Sequence, residues 1–108
     1  MKRENFQAFW LALKEREESI LATKGEEYTQ QSENRLSNFF RSAEECGVSP
    51  LQVCYIMLKK QVDALGSYAK IGRCFSQESV LERVSDVRNY ALFFAAIAKE
   101  LEDHHAKV

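Results

Sequence analysis

Apolar residues recur at helical spacing in four stretches of the chain, with short polar or glycine-containing segments between them. The first stretch runs from residue 4 to about residue 22. Its pattern either continues to Tyr28 or breaks at Gly25, because glycine costs about 1 kcal/mol in a helix interior. A polar connection follows over residues 29–34. The second stretch, from Leu36 to Ala43, is followed by Gly47, a residue type that closes helices.

The third and fourth stretches have clear starting signals. Ser49 is a good N-cap, and Pro50 fits the first helical turn, where its missing N–H costs nothing. We expect this helix to end at Gly66 and residues 66–75 to form a loop. Ser76 then caps a last helix that runs to about Asp103. The core stripe predicted for the third helix is Leu51, Cys54, Leu58, Val62 and Leu65.

The last helix carries two apolar stripes. One is a heptad pattern, and the other contains Tyr90, Phe93 and Ile97. Two acids one helical turn apart, Glu82 and Asp86, lie on the side of the second stripe, opposite the heptad. The helix is therefore expected to be covered on two sides, with both acids set into the second contact. The heptad consists of Val80, Val84, Val87, Ala91, Phe94, Ala98 and Leu101.

These patterns predict an all-α protein, a four-helix bundle-like single domain, because no stretch shows the alternation of a strand. The chain of 108 residues is the length of one domain, and its 45% apolar and 29% charged residues are typical of a globular protein. We expect the helical domain to span residues 1–103 and a polar tail to span residues 104–108.

Charge and cysteine content narrow the function classes. The formal net charge of −1 indicates neither a nucleic-acid groove nor a membrane surface. The N-terminus is amphipathic and carries no apolar signal core, so we expect a cytoplasmic protein. Three cysteines at wide spacing are then expected to be reduced packing residues.

Four groups of polar residues lie beside the apolar stripes. Carboxylates and lysines from separate helices would suit a divalent hard cation together with a phosphate ligand, because Mg²⁺ takes oxygen ligands and lysine supplies point charge. Nucleophilic catalysis has little support, since the only histidines lie in the tail. The groups are Lys24 with Glu26, Glu27 and Tyr28; Asn38; Lys59 with Asp63; and Glu82 with Asp86, Asn89 and Tyr90.

Each group also has an ordinary structural interpretation. Glu82 and Asp86 could face solvent or pair with nearby arginines, because acidic pairs are common on helix surfaces. Lys59 and Asp63, one turn apart, match an intrahelical ion pair. Glu26 and Glu27 form a charge run of a kind that usually faces water.

The order of these segments resembles a family. It is similar to the small all-α phage and prophage proteins of the nucleotide-modification-associated domain 1 type, and more distantly to the MazG-like nucleoside triphosphate pyrophosphohydrolases. The resemblance spans residues from about 20 to 97 and depends on order and spacing. The motifs that carry it are Lys24-Gly25-Glu26-Glu27-Tyr28, Asn38-Phe39, Val48-Ser49-Pro50-Leu51-Gln52-Val53, Met57-Leu58-Lys59-Lys60, and Glu82 with Asp86-Val87-Arg88-Asn89-Tyr90.

The resemblance implies self-association, with a homodimer as the simplest case, and a site for a nucleotide or modified nucleotide with Mg²⁺. In a Mg²⁺-dependent nucleoside triphosphate hydrolase, Glu82 and Asp86 would be the catalytic pair. The implied roles are metal binding for Glu27, Glu82 and Asp86, phosphate binding for Lys24 and Lys59, and contact with the base or sugar for Asn38 and Tyr90.

The sequence departs from the MazG-like pattern. A third acid is missing after Glu26 and Glu27, and the later acids are four positions apart, not three. Two alternatives therefore stand beside hydrolysis: nucleotide binding without catalysis, and a phage or prophage interaction module whose bundle dimerises or binds a host protein. A structural bundle without a ligand is the remaining interpretation.

Overall fold

A computed structural model describes residues 1–28, 36–73 and 79–107 of the chain, and side chains within them except at 24–28, 106 and 107. The described residues form four helices and no strand: α1 (Arg3–Tyr28), α2 (Ser37–Cys46), α3 (Pro50–Ile71) and α4 (Val80–Lys107). The predicted all-α, bundle-like fold is thus confirmed. No helix in the described ranges has an apolar stretch long enough to cross a membrane. The chain divides into two compact units, Met1–Arg35 and Leu36–Val108.

The first unit contains α1, which continues through Gly25 to Tyr28 without a break. The apolar side chains of this helix are exposed to different degrees along its length. Leu13 is buried, and Glu17 is buried at the next position of the same stripe. Nearer the N-terminus, large apolar side chains are exposed, and the Lys14 ammonium lies 4.9 Å from the centre of one aromatic ring. These exposed residues are Phe6, Phe9, Trp10 and Leu11.

Local sequence chemistry sets the boundary between α2 and α3, as predicted. Gly47 closes α2 in the left-handed conformation, with φ of 70°, and its N–H donates to the Ala43 carbonyl. At the start of α3, the Ser49 hydroxyl accepts from the Gln52 N–H at 3.1 Å, and the Gln52 side chain accepts from the Ser49 N–H at 2.8 Å. This reciprocal capping box, with Pro50 in the first turn, fixes the start of the helix.

The predicted end of α3 at Gly66 is wrong. The helix continues to Ile71 and is closed by Gly72, whose φ is 77° and whose N–H donates to the Tyr68 carbonyl at 2.7 Å. The cost of an interior glycine is about 1 kcal/mol, and the extra turn offsets it because Tyr68 is partly buried there. Glycine at position 72 suits the positive φ that this helix end requires.

Helix α4 begins at Val80, where the Ser79 hydroxyl accepts from the Glu82 N–H at 3.2 Å. The predicted cap at Ser76 lies outside the described residues. The helix ends at Lys107, one turn beyond the Asp103 end that the sequence pattern indicates.

The core of the second unit is built where α3 packs against both α2 and α4. Its fully buried side chains are Cys54 and Ile97, and Phe39 of α2 stacks against Phe93 of α4 with ring centroids 5.4 Å apart. The stripe of Tyr90, Phe93 and Ile97 therefore faces the core. The predicted core position Val62 is wrong, because it is 48% exposed. Ala91, a member of the α4 heptad, is also exposed.

Candidate functional site

Two hydrogen bonds fix the register of α3 against α4. The Cys54 thiol donates to the Tyr90 carbonyl at 3.3 Å, and the Arg83 guanidinium donates to the Gln61 side-chain carbonyl at 3.0 Å. Cys54 to Gln61 and Tyr90 to Arg83 are steps of seven positions in opposite directions along the two helices. The helices are therefore antiparallel, and Cys54 and Tyr90 mark the sides that face each other.

The two acids lie on the side of α4 that carries Phe93, the residue in ring contact with α2. At about 100° per residue, Phe93 lies about 60° round the helix from Tyr90, and its ring touches Phe39 of α2. Asp86 and Glu82 lie about 40° and 80° from Tyr90 in the same sense of rotation. We call this side of the α3–α4 pair the α2 side. Both acids are partly buried.

A polar stripe runs along this side of α4 and consists of Glu82, Ser85, Asp86 and Asn89. Their spacing of 3, 1 and 3 places them on one helix face. Ser85 is only 3% exposed, and its hydroxyl oxygen has no hydrogen-bond partner among the described residues. Sequence reasoning did not single out Ser85, although its spacing from the two acids was a usable signal.

Asn38 on α2 and Tyr90 on α4 are neighbours in sequence or space of the aromatic residues that join these helices. Asn38 directly precedes Phe39, and the Phe93 ring that Phe39 touches is also 6.2 Å from the Tyr90 ring. The Asn38 side-chain oxygen accepts from the Arg41 guanidinium at 3.2 Å. Both predicted contacts for a base or sugar are partly buried and lie on helices joined by this aromatic packing.

Lys59 forms the ordinary intrahelical pair. Its ammonium donates to the Asp63 carboxylate at 2.9 Å, and both side chains are exposed. The hydrogen bond to Asp63 and the charge of that carboxylate raise the pKa of Lys59. Lys59 lies about 140° round α3 from Cys54, in the sense that leads away from the α2 side.

The two site residues predicted on α1 lie outside the described side chains. Lys24 and Glu27 belong to the last turns of that helix. The predicted metal triad of Glu27, Glu82 and Asp86 thus stays a prediction. Within the described side chains, no group of three or more His, Cys, Asp or Glu residues is placed to hold a metal ion.

The polar stripe offers oxygen donors only: two carboxylates, a hydroxyl and an amide carbonyl. Such hard donors suit Mg²⁺ or Ca²⁺ more than Zn²⁺ or Cu²⁺, which prefer imidazole and thiolate ligands. The stripe begins at the polar N-terminus of α4 and ends at an aromatic pair, Tyr90 and Phe93, so it joins charged and apolar surfaces.

No protein-family model matches the chain, and no curated protein or solved structure matches it either.

Proposed function

We propose that the protein binds a nucleotide through its phosphates, together with Mg²⁺, at the polar stripe on α4. The observation that carries the proposal is the buried Ser85 hydroxyl between two partly buried acids. A buried hydroxyl without a hydrogen bond costs free energy, and a bound ligand or its water shell would supply the missing partner. The resemblance to nucleotide-modification-associated proteins points to the same ligand class.

An ordinary solvated acid pair fits these residues less well. Glu100 and Glu102 on the same helix show what that arrangement looks like, since both are exposed. Glu82 and Asp86 are instead partly buried on the side that carries Phe93. Their partial burial distinguishes these two acids from a fully solvated pair.

The donor set agrees with the chemistry of Mg²⁺. This ion is usually held by one or two carboxylates, with phosphates and water completing its octahedron. Glu82 and Asp86 would hold it. When bound, the ion would neutralise phosphate charge. Tyr90 and Asn38 would contact the base or sugar by stacking and hydrogen bonding.

The proposal is binding without hydrolysis, because the acid pattern of MazG-like hydrolases is incomplete in this chain. Measurement of pyrophosphate release in the binding mixtures separates the two activities. Turnover that disappears on Asp86→Asn would extend the proposal to a hydrolase in which Glu82 and Asp86 are catalytic.

Titration calorimetry tests the binding proposal. Each common nucleoside triphosphate is titrated into the protein with Mg²⁺ and again with EDTA. We expect Mg²⁺-dependent binding that weakens at least about tenfold, or 1.4 kcal/mol, in Glu82→Gln and Asp86→Asn. Glu100→Gln is the matched control and should bind as the wild type does, since that acid is exposed on the same helix. Absence of heat with every nucleotide would refute the proposal, as would unchanged binding in both variants.

A second candidate function, a self-associating interaction module, is favoured by the N-terminal half of α1. Phe6, Phe9 and Trp10 are exposed within about 100° of one helix face, and an exposed apolar patch of this kind marks interaction sites. A partner helix would cover it by helix–helix packing. We expect light scattering to report a dimer for the wild type and a monomer for Phe6→Glu with Trp10→Glu. Ala8→Glu, on the opposite side of α1, should leave the dimer intact; a wild-type monomer at all concentrations would contradict this candidate.

A further inference from the structure

The register of α3 places Lys60, not Lys59, on the side of the acids. From Cys54, which faces α4, Lys60 lies about 120° round the helix and Lys59 about 140° in the opposite sense. In an antiparallel pair, rotations of the same sense lead to the same face. Phe93 fixes that sense, because its ring contacts Phe39 of α2 and it lies about 60° from Tyr90 in the same sense of rotation as Lys60 from Cys54. Lys60 is therefore on the α2 side.

The same register sets the level of Lys60 along α4. Cys54 is opposite Tyr90 and Gln61 is opposite Arg83, so Lys60 is opposite Val84. That position lies midway between the two acids, Glu82 and Asp86. Rotation and level together place one lysine of α3 across from the polar stripe of α4.

The two adjacent lysines also differ in their interactions. The ammonium of Lys59 is engaged by Asp63 at 2.9 Å, whereas Lys60 is exposed and makes no hydrogen bond or ion pair with the described residues. Lysine is a point charge on a flexible stem, so it can bring its ammonium to a phosphate without a fixed geometry. A cation opposite two metal-holding acids is the arrangement that a phosphate bridging both would require.

We propose that Lys60 is the phosphate-contacting lysine of α3, and that Lys59 has no part in ligand binding. This assignment rests on the proposed nucleotide-binding function and names a specific contact within it. The ligand class it selects is a polyphosphate: an anion long enough to reach from the acids on α4 to α3.

Inorganic tripolyphosphate in Mg²⁺ is the probe, because it carries the phosphates without a base or sugar. We expect Lys60→Ala to bind it at least about tenfold more weakly than the wild type and Lys60→Arg to keep most of the affinity. Lys59→Ala, the matched control, should bind as the wild type does. Both lysines are exposed, so all three variants should keep the wild-type melting temperature.

The outcomes separate the assignment from the function on which it rests. If the wild type binds and Lys60→Ala binds equally tightly, or Lys59→Ala loses as much, the assignment is overturned while the proposed function stands. If the wild type binds neither tripolyphosphate nor any nucleotide in Mg²⁺, both are overturned. If it binds nucleotides but not tripolyphosphate, the assignment to a polyphosphate contact is overturned.

Discussion

Replacing Ile97 by alanine should remove a large share of the stability of the second unit. Ile97 is completely buried, in one cluster with Leu36, Phe39 and Cys54. The substitution deletes three carbon atoms, worth about 0.8 kcal/mol each as lost burial, and the cavity adds to this, so we expect a loss of about 2–5 kcal/mol. Since domains of this size are stable by about 5–15 kcal/mol, the variant should be clearly weakened.

Urea denaturation followed by circular dichroism at 222 nm measures this loss. Leu92→Ala is the matched control on the same helix, because Leu92 is 54% exposed and its truncation should change the free energy of unfolding by no more than about 0.5 kcal/mol. A comparable loss in the two variants would refute the packing. A loss below about 1 kcal/mol for Ile97→Ala would show that the stripe of Tyr90, Phe93 and Ile97 does not face the core.

Three further substitutions test the end of α3 and the buried thiol. Gly66→Ala should stabilise the protein by about 0.5–1 kcal/mol, because Gly66 is inside the helix with open space where a Cβ would lie. Gly72→Ala should destabilise the protein by about 1–2 kcal/mol, since φ at Gly72 is +77°. If thermal melts show Gly66→Ala to be destabilising and Gly72→Ala to be stabilising, the helix ends at Gly66. Burial raises the pKa of Cys54 from 9.0 to about 11, so the folded chain keeps a proton that the unfolded chain loses in that range. The free energy of unfolding should therefore be unaffected by this thiol below pH 9 and fall by up to about 2.7 kcal/mol as the pH rises to 11. Urea titrations of Cys54→Ala should lack this fall. Equal pH slopes of the unfolding free energy in both proteins would contradict the prediction.

Sequence alone predicted the elements whose signals are local. Ser49, Pro50 and Gln52 carry a complete helix start, and Gly47 carries a helix end, so neighbouring residues settle both boundaries. The end of α3 was mispredicted because a helix-interior glycine costs only about 1 kcal/mol, which packing of a further turn can outweigh. Gly66 and Gly72 look alike in the sequence, and only the positive φ at Gly72 distinguishes them.

The placement of the candidate site depended on information that periodicity does not contain. Two apolar stripes on α4 were visible, but contact with Phe39 of α2 decides that the one containing Phe93 faces the core. Glu82 and Asp86 are partly buried on the side of that stripe. The choice between Lys59 and Lys60 could not follow, because adjacent residues differ by about 100° of rotation and the register of α3 against α4 must be known.

The polar stripe and the core stripe of α4 share one side of the helix. Each step of seven residues rotates the helix by about 20°, so the acids continue the line of Phe93 with little drift. The groups that lock α3 against α4, Cys54 at Tyr90 and Gln61 at Arg83, therefore also set the level of Lys60 against the acids. A ligand that bridges Lys60 and the acids would tie together two helices that the core already joins. Binding would then stabilise the folded unit by RT ln(1 + [L]/Kd), about 2.7 kcal/mol at a hundredfold excess over Kd. At that ligand excess, binding would offset a loss of the size expected from Ile97→Ala.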